Sequence, residues 1–176
     1  MKLAIITDQH FGARKGADYI HKYFKKFYDN IFFPYLEKNK IDTIVDMGDT
    51  FDNRRNIDLA TLEWSKKNYY DRLQAMGITV HTIVGNHTAY YKDTNEINTV
   101  DLLLKEYDNV IVYSEPTTVN RGGLDILMLP WINEENKLQT LEMMDTTKAD
   151  VVMGHLELNG FVCLLYTSDA ADESDR

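Results

Sequence analysis

Four short polar groups interrupt this chain, each directly after an apolar run. Asp8-Gln9-His10 follows Leu3-Ala4-Ile5-Ile6, and Gly48-Asp49 follows Thr43-Ile44-Val45. Gly85-Asn86-His87 follows Val80-His81-Thr82-Ile83-Val84, and Gly154-His155 follows Val151-Val152-Met153. Two carboxylates, one carboxamide and three imidazoles are ligand types that hard and borderline divalent cations accept. Singly, each group has an ordinary reading: Asp8 as a turn residue, Asp49 as a helix cap, Asn86 as a turn former beside glycine. Four such groups in one and the same position point instead to a metal site, and bound cations acidify water and neutralise anionic oxygens.

The elements that must position these residues follow from periodicity. Short β-branched runs bounded by Gly and polar residues read as buried strands, here at 2–7, 43–47, 78–84, 109–113, 116–120, 124–129 and 150–153. Ile20, Phe24, Phe27, Ile31 and Leu36 recur near helical spacing, predicting a helix over 18–38 with Asp18 as N-cap and a kink or early stop at Pro34. A second helix is expected over 58–76, with Leu59, Leu62, Tyr69, Leu73 and Met76 inward and Gly77 as its C-cap. Further helices are expected near 97–106 and 133–145, and Arg121-Gly122-Gly123 signals a hairpin. The pattern implies an α/β fold, a two-layer mixed β-sheet sandwich flanked by helices. Ligands in the turns beyond several strands then meet at one sheet edge.

The chain has 176 residues, 44% hydrophobic and 27% charged, as expected of a globular domain. No apolar stretch approaches a membrane span and Met1-Lys2 leads straight into the first strand, so neither a membrane segment nor a signal peptide is expected. The single cysteine, Cys163, cannot form an internal disulfide, which fits a reducing, cytoplasmic setting. The net charge of −9 is uneven: residues 1–40 carry eight Lys/Arg and four Asp/Glu, residues 114–176 four and twelve. Bulk charge argues against non-specific nucleic-acid binding, although a metal site itself needs acidic ligands.

In sequence order, Asp-x-His, Gly-Asp-x-x-Asp, Gly-Asn-His and Gly-His resemble the pattern of the calcineurin-like metallophosphoesterases. Asp8-Gln9-His10-Phe11-Gly12 and Gly48-Asp49-Thr50-Phe51-Asp52 look like the nuclease subunits of SbcCD-type recombination complexes. The stretches Gly85 to Asn95 and Gly154 to Phe161 are similar to the recombination endonuclease subunit of tailed phages. The resemblance covers 1–161 and implies a nuclease with two divalent cations, Mn²⁺ or Mg²⁺. It places Asp49 as the bridge, Asp8 and His10 on one ion, Asn86 and His155 on the other, and His87 as the acid for the leaving oxygen. It also implies DNA as substrate, an SbcC-type ATPase as partner, a homodimer of the nuclease subunit, and host cytoplasm if phage-encoded. Alternatives are a phosphoesterase on other phosphates, or an inactive module.

Two departures stand out. Thr88 occupies a position where the wider superfamily has an acidic residue, so the orientation of His87 needs another source. No histidine follows His155, whereas the family supplies a further Gly-His-x-His, leaving each cation one ligand short. Residues 162–176 are acidic and aperiodic; Cys163 to Glu173 resembles translated sequencing-adapter read-through, so a non-native disordered tail and a truncated domain are expected. Among the remaining candidates, His21 reads as solvated surface and His81 as sheet packing. Asp52 reads as loop support, Asp46 is open between roles, and Arg54 and Arg55 are weak candidates for phosphate contact. The aromatics of 19–35 read as core or partner contact rather than a base-stacking surface.

Overall fold

A computed structural model describes residues 2–157. Strands β1 (Ala4–Ile6), β2 (Thr43–Asp46), β3 (Thr79–Ile83) and β4 (Val110–Tyr113) form a wholly parallel sheet in the order β1-β2-β3-β4. Strands β5 (Thr117–Arg121), β6 (Leu124–Leu129) and β7 (Val151–Gly154) form a second sheet, antiparallel between β5 and β6 and parallel between β6 and β7. The expected mixture of strand directions therefore lies in the second sheet alone. The hairpin turn Gly122-Gly123 has φ of 59° and 86° at its two residues, the left-handed geometry of tight hairpins.

Register explains which face each layer covers. Ala4, Ile6, Ile44, Val80, Val110 and Val112 point to one face and join a core with the helices, built around Phe11, Tyr28, Tyr69, Tyr70 and Leu73. The opposite face carries Val45, Ile83 and Tyr113, which pack on Ile126 and Met128 of the second sheet. Along the row Ile5–Val45–His81–Ile111 the two inner residues are buried, while Ile5 and Ile111 at the edges stay 57% and 37% exposed.

After β1 a short turn, α1 (Ala13–Gly16), leads into α2 (Asp18–Phe27). The helical backbone then widens into a π-type segment, Tyr28–Phe32, and continues as α3 (Phe33–Asn39). Pro34 does not stop this run. It sits in the first turn of α3, and the preceding wide turn absorbs the amide that proline lacks. The second run repeats the device: α4 (Leu59–Ser65), a π-type Lys66–Tyr70, then α5 (Asp71–Ala75). It ends as expected, with Gly77 at φ 68° and Ile78 N–H donating to Leu73 C=O at 3.0 Å. Helices α6 (Thr99–Leu104) and α7 (Lys137–Thr146) complete the order.

Three expectations need correction. Asp18 is the first residue of α2, whose N-cap is Ala17 without a side-chain bond. Leu59, at the first position of α4, is 82% exposed because the helix turns Thr61 and Ser65 inward instead. His21 is buried and stacks on Trp64, rings 4.6 Å apart and 11° from parallel, so it is core and not solvated surface. The expectation for residues 162–176, and the Leu158–Phe161 part of the last motif, lie outside the described residues.

Candidate metal centre

Each polar group sits just beyond a strand, and backbone bonds continue the sheet into the loops that carry them. Asp8 N–H donates to Gly48 C=O at 3.1 Å, His10 N–H to Asp49 C=O at 2.9 Å and Phe11 N–H to Thr50 C=O at 2.8 Å. The loops after β1 and β2 are thereby zipped together as far as the Phe11–Phe51 bridge, whose rings anchor both in the core. His155 N–H donates to Leu129 C=O at 3.0 Å, which ties the end of β7 to β6.

Asp8, His10 and Asp49 adopt left-handed φ of 52°, 45° and 50°. Such conformations cost on the order of 1–3 kcal/mol each in non-glycine residues and concentrate at functional sites. Close approach demands glycine at two neighbours. A Cβ on Gly48, at φ 102°, would lie 2.8 Å from His155 Nδ1, and one on Gly85 would lie 2.6 Å from the Asp49 amide nitrogen.

The structure brings together all six residues singled out above. His10 Nε2 lies 3.6 Å from Asp8 Oδ1 and 3.9 Å from Asp49 Oδ2. The same Asp49 Oδ2 lies 3.3 Å from His155 Nε2, which is 2.9 Å from Asn86 Oδ1. Asp49 Oδ1 accepts from His87 N–H at 2.9 Å. The rings of His10 and His87 meet edge to face, centroids 4.8 Å apart. His10, Asp49 and His87 alone place three candidate ligand atoms within 4.8 Å of one another.

Hydrogen bonding fits these donors to cations. His155 Nδ1 donates to the Met47 carbonyl at 2.9 Å, so its proton is there and the Nε2 lone pair faces two oxygens. Oxygens and a nitrogen lone pair converging on one point need a positive charge between them, a proton or a metal. The titration directions agree. For His155, burial opposes protonation, but the Asp49 carboxylate overrides it and raises the pKa. For His10, burial again opposes, and the Asp52 and Asp8 carboxylates nevertheless carry it up to about 10. The His10 contact holds the Asp8 carboxyl below its ordinary range. A site that grips protons this firmly is electrostatically disposed to hold cations.

Comparison with known proteins gives the family. A family model described as calcineurin-like phosphoesterase matches residues 1–174. The chain belongs to the calcineurin-like phosphoesterase family. It is 39% identical over 163 residues to exonuclease subunit 1 of Enterobacteria phage T4, covering 92% of this chain and 47% of that protein. It is 26% identical over 181 residues to a putative phosphoesterase of invertebrate iridescent virus 3, covering 98% and 49% respectively. The chain thus spans about half the length of the curated relatives it matches. Among solved structures, an archaeal phosphodiesterase matches at 14% identity and a TM-score of 0.46, over 86% of this chain and 70% of the other. A protein of unknown function from Aquifex aeolicus matches at 19% identity and 0.48, over 92% and 82%.

Within this calcineurin-like domain, several supporting residues escaped the sequence reading. His87 Nδ1 donates to the backbone carbonyl of Asp52 at 2.8 Å, which fixes the tautomer with Nε2 unprotonated. The orienting acceptor is therefore a main-chain oxygen, and no carboxylate at position 88 is required. Thr88 turns inward instead, accepting from Gly85 N–H and donating to Gly85 C=O, both at 2.9 Å. The Asp52 side chain serves the other imidazole, its Oδ1 3.2 Å from His10 Nδ1.

Asp46, open between roles in the sequence, is fully buried and accepts from Gln9 Nε2, Gly48 N–H and Thr50 Oγ1, each at 3.1 Å. Tyr28 O–H donates to Gln9 Oε1 at 2.6 Å. This network grips the residue between Asp8 and His10 and the residue before Asp49, so one carboxyl positions two loops of the candidate site. Burial pushes that carboxyl up to about 7. Gln9 carried no signal of its own, because only the fold places it beside Asp46.

Proposed function

We propose that this domain is a divalent-cation phosphodiesterase acting on DNA, the nuclease subunit of a recombination and repair enzyme that works with an SbcC-type ATPase. The observation that carries it is Asp49 Oδ2, which lies 3.9 Å from His10 Nε2 and 3.3 Å from His155 Nε2, the latter in contact with Asn86. That is the placement a bridging carboxylate needs, and a relative at 39% identity is named an exonuclease subunit. The word subunit in that name supports a partner; the ATPase and a homodimer of the nuclease are parts of this proposal.

Asp8 and His10 would hold one cation, Asn86 and His155 the other, and Asp49 both. When bound, such a pair acidifies water and neutralises the phosphate oxygens. Mixed imidazole, carboxamide and carboxylate donors suit Mn²⁺, with Mg²⁺ as the harder alternative. His87 Nε2, left free by the Asp52 carbonyl, takes up a proton and delivers it to the leaving oxygen. The His87 amide meanwhile holds Asp49 Oδ1, so acid and bridge share one loop.

Mn²⁺ titration should raise the melting temperature and support hydrolysis of bis(p-nitrophenyl) phosphate and of linear DNA. Asp49→Asn should abolish both effects. His87→Ala should keep the thermal shift and lose about 10²–10⁴ in rate. Cleavage of a small diester but not of DNA by the unaltered protein would refute the nuclease reading; a His87→Ala protein as fast as the parent would refute its role as the acid.

A further inference from the structure

The peptide unit between Met47 and Gly48 is used from both ends. Its carbonyl accepts from His155 Nδ1 at 2.9 Å, and its N–H donates to Asp46 Oδ1 at 3.1 Å. Asp46 Oδ2 accepts in turn from Gln9 Nε2 at 3.1 Å, and Tyr28 O–H donates to Gln9 Oε1 at 2.6 Å. A continuous line of hydrogen bonds therefore runs from a core tyrosine to the His155 ring. The other nitrogen of that ring, Nε2, lies 2.9 Å from Asn86 Oδ1 and 3.3 Å from Asp49 Oδ2.

Packing keeps the line intact. Tyr28, Gln9 and Asp46 are all buried, so water does not compete for their bonds. Burial, reinforced by the Asp46 carboxylate, holds the Tyr28 phenol above its ordinary range, and it stays a donor. At the other end the His155 ring lies against Gly48, where a Cβ would come within 2.8 Å of Nδ1. The ring can reach the Met47 carbonyl because residue 48 has no side chain.

A peptide whose N–H is bound to a carboxylate is polarised along its length, and its oxygen becomes the stronger acceptor. A stronger acceptor at Nδ1 fixes the proton there and leaves Nε2 with a more basic lone pair. Carboxylates bonded directly to the far nitrogen of a metal-binding histidine act in this way. Among the described residues no carboxylate bonds to His155 Nδ1 itself, so the peptide is the route by which one acts on it.

We propose that Asp46 is a positioning residue for His155, acting through the Met47–Gly48 peptide to hold the ring proton on Nδ1 and the bare Nε2 toward Asp49 and Asn86. The carboxyl that joins the loops after β1 and β2 thus also reaches the one after β7. The inference rests on the functional reading above only for the cation that Nε2 would bind.

The test first reads the metal-free protein, by ¹⁵N NMR of the His155 ring at a pH alkaline enough for neutral imidazoles. The parent should show Nδ1 protonated and Nε2 bare. Asp46→Asn keeps the shape and removes the charge, and should draw the two nitrogen signals toward each other as the tautomers mix. Tyr28→Phe, a milder change at the far end of the line, should move them the same way by less. Mn²⁺ alone is then titrated by calorimetry. Asp46→Asn should bind it at least about tenfold more weakly, as when the outer partner of a metal-binding histidine is lost. Thr140→Val, which removes a buried hydroxyl bonded to Asn136 C=O on α7, should lower stability and move neither the signals nor the affinity.

Unchanged His155 signals in Asp46→Asn would overturn the relay, and so would a parent with Nδ1 unprotonated. An equal loss of Mn²⁺ affinity in Thr140→Val would reduce Asp46 to a structural role and overturn it as well. If Asp46→Asn does not fold, Tyr28→Phe decides, and no shift there overturns the relay. A parent that holds the Nδ1 proton, loses it in Asp46→Asn, and yet binds no Mn²⁺ defeats the metal-centre reading and leaves the relay standing.

Discussion

At the scale of single residues, the candidate site is held by buried side chains that bond to the backbone of its own loops. Thr88 shows this best. Its hydroxyl both accepts from and donates to the Gly85 peptide, closing the turn that presents Asn86 and His87. Thr88 is fully buried, so nothing replaces those bonds if the hydroxyl goes. Thr88→Val keeps the shape and removes the bonds, and should cost about 1–3 kcal/mol in urea unfolding. A variant as stable as its parent would show that the turn is held elsewhere. That Asp8, His10, Asp49, Asn86, His87 and His155 would meet at one sheet edge was an expectation from the strands that precede them, and the fold does bring them together. Gln9, Asp46 and the Asp52 carbonyl were not legible in the sequence, because their roles depend on what lies across from them.

At the scale of elements, strands and helix ends followed local chemistry, and the departures came where tertiary packing intervened. Both long helical runs contain a π-type turn, which rotates the residues after it relative to strict 3.6-residue periodicity. The first carries the chain through Pro34; both help bring Tyr28, Phe32, Tyr69 and Tyr70 onto one core. The start of α4 is set more locally. Asp58 accepts from Thr61 N–H at 3.0 Å and from the Thr61 hydroxyl. Asp58→Ala should therefore lower stability by about 1 kcal/mol, up to about 2, read as a shift in denaturation midpoint at unchanged slope. A change within a few tenths of a kcal/mol would mean the helix start is fixed by its neighbours and not by this cap.

At the scale of the whole molecule, the two sheets enclose an ionisable group that couples folding to pH. His81 is 2% exposed, with Nδ1 2.7 Å from Tyr113 Oη. Burial, reinforced by the positive charge of Arg121, pulls its pKa down to about 4. The unfolded chain, with an imidazole near 6.5, binds the proton that the folded one refuses. Stability contributed by neutral His81 is thus complete above about pH 6.5 and is lost as pH falls toward 4, by at most about 3 kcal/mol. Asp46, pushed up to about 7, acts oppositely: its stabilisation is complete near pH 4 and is lost as pH rises through 7. Comparison with His81→Gln isolates the histidine. The parent should lose more stability than the variant between pH 7.5 and pH 4.5 in urea titrations; equal losses would show that His81 is protonated in the folded state.

The sequence by itself determined the strand positions, the hairpin at Gly122-Gly123, the glycine end of the second helical run and the order of the polar groups that follow the strands. These depend on period, backbone permissiveness and residue type within a few neighbours, all of which are local. The tertiary structure decided that His21 is core, that Leu59 faces outward, and that one sheet is purely parallel while the other is mixed. It also decided that Asp49 lies within reach of both His10 and His155 and that a main-chain carbonyl orients His87. Each of those turns on residues far apart in the chain: Asp49 meets His155 across 106 positions, and Trp64 meets His21 across 43. Spacing along a sequence carries no distance across a fold, so such pairings exist only once the sheets and helices have closed around them.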